Sequence, residues 1–424
     1  VWPAIALAVT AGNAVVAAQD WRPKALASFD LVWQTVNDTY HDPGFGGLNW
    51  ADVRAELRPI AERAASPDEV RRVIGDMLAR LGQSHFGLIT GSNGGELVGG
   101  DAVAPLDIRT AADGVLVTRV EAGTTNVRPG DLIIDIDGHD VATWIATVEG
   151  RDDRDRQRLV WQRASRALHG PSGSSARLAL RGPDGRERTA EVARVRPPGQ
   201  LVRLGNLPPF NVRTEASAVR TAGGLRVGLI AFNVWMAAVA EPFARAVDEH
   251  RTADGIVIDL RGNPGGLAEM LRGLAGHFLP TPELLGRMHM RHVVLDFRAN
   301  PRRSTSDGRT VEPFAGPLAI LVDDLTASAS ECFAGGMQSL GRARVFGRRT
   351  MGQALPASTR ELPNGDVLMY AVGDFVTSTG RRLEGAGVAP DDAVPLSRKA
   401  LAAGRDEDLA AALAWIERRS KEPR

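Results

Sequence analysis

Three short stretches of this chain hold residue types that can do covalent chemistry together. In Leu321-Val322-Asp323-Asp324-Leu325-Thr326-Ala327-Ser328-Ala329-Ser330-Glu331 an apolar strand pattern gives way to small residues and then to a helical pattern. A serine at such a junction is sterically open and lies near the positive end of the helix dipole, which suits a nucleophile. Ser328 with Glu331 also fits a plain capping box, so the spacing by itself has two readings. The second stretch is Ile258-Asp259-Leu260-Arg261-Gly262-Asn263-Pro264-Gly265-Gly266, a strand ending in a glycine-rich turn that is expected to open a helix. Paired glycines there would present backbone N–H groups to an oxyanion, although an ordinary strand-to-helix turn has the same composition. The third is Ser84-His85, just past a helical pattern that stops at Gly82. Histidine titrates near neutrality and is the commonest general base, but a lone one is usually structural or solvated.

The elements that must position these groups fall into several blocks. Residues 21–88 read as helical, with apolar residues recurring at helical spacing through Phe29, Val32 and Val36, then Trp50, Val53 and Leu57. Ser66-Pro67-Asp68-Glu69 has the form of a helix start. A glycine-rich linker at 91–100 leads to short β-type runs at Pro105–Ile108, Gly114–Val120, Asp131–Ile136, Ala176–Leu180 and Thr189–Val195. Prolines 197, 198, 208 and 209 mark the exit. From Gly223 strands at 225–232, 255–259, 292–296, 318–322, 343–346 and 367–372 alternate with helices near 238–249, 265–277 and 329–340, the pattern of an α/β domain.

Composition narrows the function. Lys+Arg 51 against Asp+Glu 51 leaves no basic excess for nucleic acid. The single cysteine, Cys332, excludes an intramolecular disulfide and a cysteine-based zinc site. His289 and His292 are the one local histidine pair, and no carboxylate pattern accompanies them, so no metal is expected. No dinucleotide fingerprint, phosphate loop or His-Glu-x-x-His occurs, so no cofactor is expected either. Pro3 to Ala18 is uncharged and ends in the small residues Val16-Ala17-Ala18, which reads as an export segment; a buried N-terminal helix is the other reading. The mature chain then has no membrane span, and its expected location is periplasmic or extracellular.

Pro129-Gly130-Asp131-Leu132-Ile133 and Ile136-Asp137-Gly138 resemble the core of a PDZ domain. The Thr326–Glu331 stretch, followed by Gly335, Met337–Ala343 and Gly347, resembles the nucleophile segment of the S41 peptidases. That family includes the C-terminal processing proteases, the tricorn core protease and the interphotoreceptor retinoid-binding protein modules. Asp259–Gly266 is similar to its oxyanion turn, and Thr379-Gly380-Arg381 through Leu383–Asp391 to its closing motif. The resemblance implies an α/β fold with a ClpP/crotonase-like protease core, an N-terminal helical cap and a β-rich PDZ-like domain. The corresponding boundaries are 1–20 for the export segment, 21–90 for the cap, 98–197 for the PDZ-like domain, 198–400 for the core and 401–424 for a C-terminal helix.

Two catalytic arrangements exist within that family. In the processing proteases a lysine that follows the nucleophile is the base; here that position is Gln353, and no lysine occurs between Lys24 and Lys399. An amide cannot take a proton at neutral pH, so a Ser–Lys dyad is excluded and Gln353 is left as site support. The tricorn-like arrangement takes its histidine from the cap, and Met77–His85 resembles that segment, with Gln83 where an acid or glycine is common. The resemblance then implies Ser328 as nucleophile, His85 as base, Ser84 as its hydrogen-bonding support and Glu384 as the carboxylate of the triad. The oxyanion would be held by the N–H of Ala329 and one from Gly265 or Gly266. Ser330 is the competing nucleophile. The implied function is a secreted serine endopeptidase acting on extended or unfolded polypeptides; the alternative is a non-catalytic ligand- or peptide-binding protein on the same fold.

Overall fold

The computed structural model describes residues 21–90, 100–150, 152–203, 205 and 209–421. The expected export segment and nearly all of the glycine-rich linker lie outside them.

Helices Trp21–Thr39, Trp50–Arg63 and Pro67–Ala79 form the cap. The third begins where its sequence requires. Ser66 Oγ accepts from Glu69 N–H at 3.2 Å, Pro67 occupies the first turn, and Glu69 carboxylate accepts from Ala65 N–H at 2.7 Å. Phe29, Val32, Val36, Val53, Leu57, Ile74 and Met77 meet in one buried cluster. After Gly82 (φ +62°) the chain passes Ser84 and His85 into a short strand, Gly87–Ile89. That strand pairs antiparallel with Val367–Met369, a contact with no local signature.

The PDZ-like module is an antiparallel sheet in the order Leu106–Ala111, Gly114–Val120, Leu132–Ile136, Ser175–Arg181, Glu187–Ala193. Each strand expected there is present within a few residues. The module also contains helices Val141–Thr147 and Asp153–Leu168, which the β-type reading did not foresee. The second is rich in arginine and aspartate, and only Val160, Ala164 and Leu168 are buried from it, a stripe too thin to stand out.

The core is a six-stranded sheet in the order Thr214–Arg220, Arg226–Phe232, Gly255–Asp259, Leu318–Val322, Arg344–Gly347, Asp392–Ala393. All neighbours are parallel except the first pair. Helices Ala237–Glu249, Met270–Ala275 and Ala329–Ser339 cover one face through a large apolar cluster. Helix Glu407–Arg419 covers the other, with Ala412 and Ile416 against Val257, Ala319 and Leu321. A three-stranded sheet of Glu283–Met290, Val294–Ala299 and Gly373–Thr377 packs beside the helices. Three expectations shift. The strand expected at 292–296 begins at Val294, because His292 and Val293 lie in the hairpin turn. The helix expected from Gly265 begins at Met270, so the glycine pair sits in a turn rather than at a helix N-terminus. The C-terminal segment is two helices, Arg398–Ala402 and Glu407–Arg419, separated at Gly404 (φ +67°) and restarted by Asp406, which accepts from Leu409 N–H at 3.0 Å. Among the described residues no helix is long and apolar enough to cross a membrane.

Candidate active site

The parallel strands Gly255–Asp259 and Leu318–Val322 end on the same edge of the core sheet, and the loops leaving them carry the first two candidate stretches. Crevices at the carboxyl ends of such strands are where open α/β sheets place their ligands. Ser328 stands at the junction of its loop with helix Ala329–Ser339, at φ +54° and ψ −120°. A non-glycine residue is strained there, and the strain persists because its surroundings over-determine it. Ser328 N–H donates to Gln353 O at 2.8 Å and to Glu331 Oε2 at 3.1 Å. Ser328 is half-buried, whereas Ser330 is fully buried and its Oγ accepts from Trp235 Nε1–H at 2.8 Å. The rival hydroxyl is thus committed to the core.

Gly265 lies directly against Ser328. A Cβ at Gly265 would fall 2.6 Å from Ser328 Cβ and 2.9 Å from Ala329 N. The two glycines differ in what their N–H groups do. Gly265 N–H donates to Asn263 Oδ1 at 3.0 Å, whereas Gly266 N–H has no hydrogen-bond acceptor among the described residues. Ala329 N–H, at the first position of its helix, is likewise unengaged among them. Of the expected donor alternatives, Gly265 is therefore occupied and Gly266 is open.

His85 (φ +58°) is half-buried, and its Nδ1 lies 2.7 Å from Ser84 Oγ. Ser84 Oγ in turn donates to Glu384 Oε2 at 2.9 Å, and Ser84 N–H donates to Glu384 Oε1 at 2.8 Å. Glu384 reaches the histidine only through Ser84; the direct His–carboxylate contact of a simple triad is absent among the described residues. Burial pushes the His85 imidazole below its ordinary pKa, against the opposing pull of the Glu384 carboxylate.

One short segment joins the two halves. Gln353 O accepts from Ser328 N–H, Gln353 N–H donates to Glu331 Oε2 at 2.9 Å, and Ala354 N–H donates to Glu384 Oε2 at 2.9 Å. Gln353 thus supports the site through its backbone. Its residue, with Gln83, Gly82, Arg154, Arg382 and Glu384, also lines a cleft of about 310 Å³. Ser328 and His85 are brought to one neighbourhood by this segment, without a direct hydrogen bond between them among the described residues.

Glu331 does more than the capping pattern implied. Its buried carboxylate accepts from Thr350 Oγ1, from Gly352 N–H at 2.8 Å, from Gln353 N–H and from Ser328 N–H. Burial pushes this carboxyl up to about 7, and the four hydrogen bonds oppose the rise. A charged residue inside an otherwise apolar helix start was the available signal, but its partners lie in a distant loop and could not be read locally.

Residues 226–394 match the model of peptidase family S41, and residues 23–79 match that of the tricorn protease C1 domain. The chain carries an S41 peptidase domain. Relatives along most of its length agree. It is 26% identical to a carboxyl-terminal-processing protease of Picosynechococcus sp., over 86% of this chain and 82% of that one. It is 27% identical to a carboxyl-terminal-processing protease of Synechocystis sp., over 85% and 79%. The crystal structure of mature CPAF shares its fold with a TM-score of 0.62 at 14% identity, covering 95% of this chain and 97% of that one. The S41 assignment makes the protein a serine peptidase, a hydrolase.

Proposed function

We propose that this S41 peptidase is exported and cuts extended polypeptides through Ser328, with His85 as base and Glu384 acting on it through Ser84. The observation that carries the reading is the chain His85 Nδ1–Ser84 Oγ–Glu384. A carboxylate only accepts, so the single Ser84 hydroxyl proton goes to Glu384 and the proton between Ser84 and His85 belongs to Nδ1. Nε2 is then left with its lone pair, as a general base requires.

In the proposed reaction Ser328 Oγ attacks the scissile carbonyl as His85 Nε2 takes its proton. The developing oxyanion is received by the N–H groups of Ala329 and Gly266, and the imidazolium is stabilised through Ser84 by Glu384. His85 returns the proton to the leaving amine, giving an acyl-enzyme, and the same groups then activate water to release it. Hydrogen bonds of this kind are commonly long in the free enzyme and close in the Michaelis complex, which suits the lack of a direct Ser328–His85 contact. An extended substrate adds main-chain hydrogen bonds at a strand edge with little demand on sequence. Export accords with the uncharged run from Pro3 to Ala18.

A fluorophosphonate probe is expected to label the wild-type protein and not Ser328→Ala. Peptide turnover is expected to survive exhaustive EDTA dialysis. Equal labelling of both proteins would remove Ser328 from the role; no labelling of either, with no turnover, would favour a non-catalytic binding function.

A further inference from the structure

Strand Leu106–Ala111 is an edge strand of the PDZ-like sheet, and Arg109 leaves it to enter the core. Its Nε and Nη2 lie 2.7 Å and 2.6 Å from Asp323 Oδ2, and its Nη1 donates to Ile108 O at 2.8 Å. Asp323 is 0% exposed and directly follows the strand Leu318–Val322. Its second oxygen, Oδ1, accepts from Gly262 N–H at 2.9 Å and from Leu325 N–H at 3.1 Å. Its backbone N–H donates to Thr326 Oγ1, whose hydroxyl donates to Leu260 O, both at 2.9 Å.

These bonds tie together the two loops that hold the proposed oxyanion donors. Gly262 starts the turn that ends at Gly266, and Leu325 and Thr326 lead to Ser328 and Ala329. Gly262 sits at φ +72°, and a Cβ there would lie 2.9 Å from Arg109 Nη2, so the guanidinium packs on the turn itself. A carboxylate this buried stays ionised only if a cation accompanies it. Burial works against ionisation, and Arg109 followed by Arg348 holds the Asp323 carboxyl below its usual range. A neutral acid would turn one acceptor oxygen into a donor and loosen the frame.

We propose that Arg109 of the PDZ-like module is a positioning residue for the peptidase reaction, acting through Asp323 on the Gly262–Gly266 turn and the loop leading to Ser328. The proposal rests on the reading of Ser328 as nucleophile. It requires the two-donor fork on Asp323 Oδ2, which lysine, a single point donor, cannot reproduce.

The test compares wild type, Arg109→Met and Arg109→Lys for peptide turnover, for thermal stability and for affinity toward a peptide aldehyde. The aldehyde carbonyl accepts the serine oxygen to give a tetrahedral adduct, and its binding therefore reports on the oxyanion side. In folded Arg109→Met, kcat and aldehyde affinity are expected to fall together by ~10–100-fold, the scale of a misplacement of about 1 Å, with KM little changed. Arg109→Lys is expected to recover part of both. A folded Arg109→Met with wild-type kcat and aldehyde affinity, or with a change in KM alone, overturns the proposal. If Arg109→Met does not fold, Arg109→Lys decides: wild-type values for both quantities overturn it, and a joint fall supports it. The Ser328 reading fails separately, in wild type, by lack of fluorophosphonate labelling and of turnover.

Discussion

Ser84 has one hydroxyl proton to give, and its destination sets the tautomer of the neighbouring imidazole. Ser84→Ala keeps the backbone N–H bond to Glu384 but removes the Ser84 Oγ partner of His85 Nδ1. In the proposed site this frees the ring to adopt the wrong tautomer. Turnover is expected to fall ~100-fold or more, on the way to the ~10⁴-fold cost of a mis-set tautomer in a serine–histidine–aspartate triad. Steady-state kinetics on a peptide substrate read this as a fall in kcat. The same ring makes a prediction about pH. The base must be neutral, and burial lowers its pKa, so the acid limb of kcat/KM is expected below the ordinary histidine midpoint of about 6.5. A limb at or above that midpoint would remove His85 as the group being titrated. Across from it, Gly265→Ala would drive a methyl group to 2.6 Å from Ser328 Cβ at a φ of +99°. That variant is expected to lose ~100-fold or more in kcat, comparable to losing an oxyanion donor. Gly273→Ala, with nothing within 4 Å, is expected to leave activity unchanged. Ser328, His85 and Glu384 stand out in the sequence as candidates because the motifs that resemble the family's are local. The route from Glu384 through Ser84, and the division of labour between Gly265 and Gly266, depend on which distant groups already occupy their hydrogen bonds.

At the scale of elements, helix Ala329–Ser339 shows what patterning reveals and where it stops. Its bounds were readable from small residues, a first-turn acid and apolar spacing, and the strands 114–120, 255–259 and 318–322 were equally clear because they are short, mostly buried apolar runs. Strand Glu283–Met290 was not foreseen. Its burial alternates imperfectly around a bulge between Leu284 and Gly286, and its sequence carries arginine and histidine on the open face. The helix start depends on Glu331, whose carboxylate holds the Thr350–Gln353 loop against the turn that carries Ser328. Glu331→Ala leaves the buried N–H of Gly352 without its acceptor, at about 1–3 kcal/mol, and also removes the acceptor of the half-buried N–H of Gln353. We expect a lower denaturant midpoint at unchanged m-value, and a kcat that falls further than loss of folded protein explains. Glu331→Gln, which keeps one acceptor oxygen, is expected to be intermediate in both. If chemical denaturation shows Glu331→Ala as stable as wild type, the carboxylate is not what holds the loop.

For the molecule as a whole, the arrangement poses a mechanical problem: the cap supplies His85, while Ser328 and Glu384 belong to the core. One excursion of the core chain solves it. Beyond Ala354 the strands Ala357–Glu361 and Val367–Ala371 form a hairpin that leaves the core and lodges in the cap. Leu362 and Leu368 join the cap's apolar cluster, and Arg360 Nη1 donates to Thr35 Oγ1 at 3.0 Å. Arg71 Nε and Nη2 donate to the two oxygens of Asp366 at 2.8 and 3.0 Å, and the Asp366 side chain is fully buried. The same hairpin pairs with Gly87–Ile89, just past His85. Arg71→Ala removes the forked cation from the buried Asp366 carboxylate, which keeps the bond from Asn364 Nδ2 at 2.7 Å, so it is expected to weaken cap docking by up to about 3 kcal/mol. The loss should be local. The core sheet has its own apolar clusters on both faces and does not depend on this pair. Hydrogen exchange is therefore expected to speed up in 21–89 and 357–371 while helix Ala329–Ser339 and strand Leu318–Val322 keep their protection. In the proposed site kcat would drop with the fraction of molecules whose cap is seated, and fluorophosphonate labelling would slow in proportion, because the base leaves with the cap. Uniform exchange across cap and core would show instead that the two unfold as one unit, and that Arg71 adds stability without governing how His85 meets Ser328.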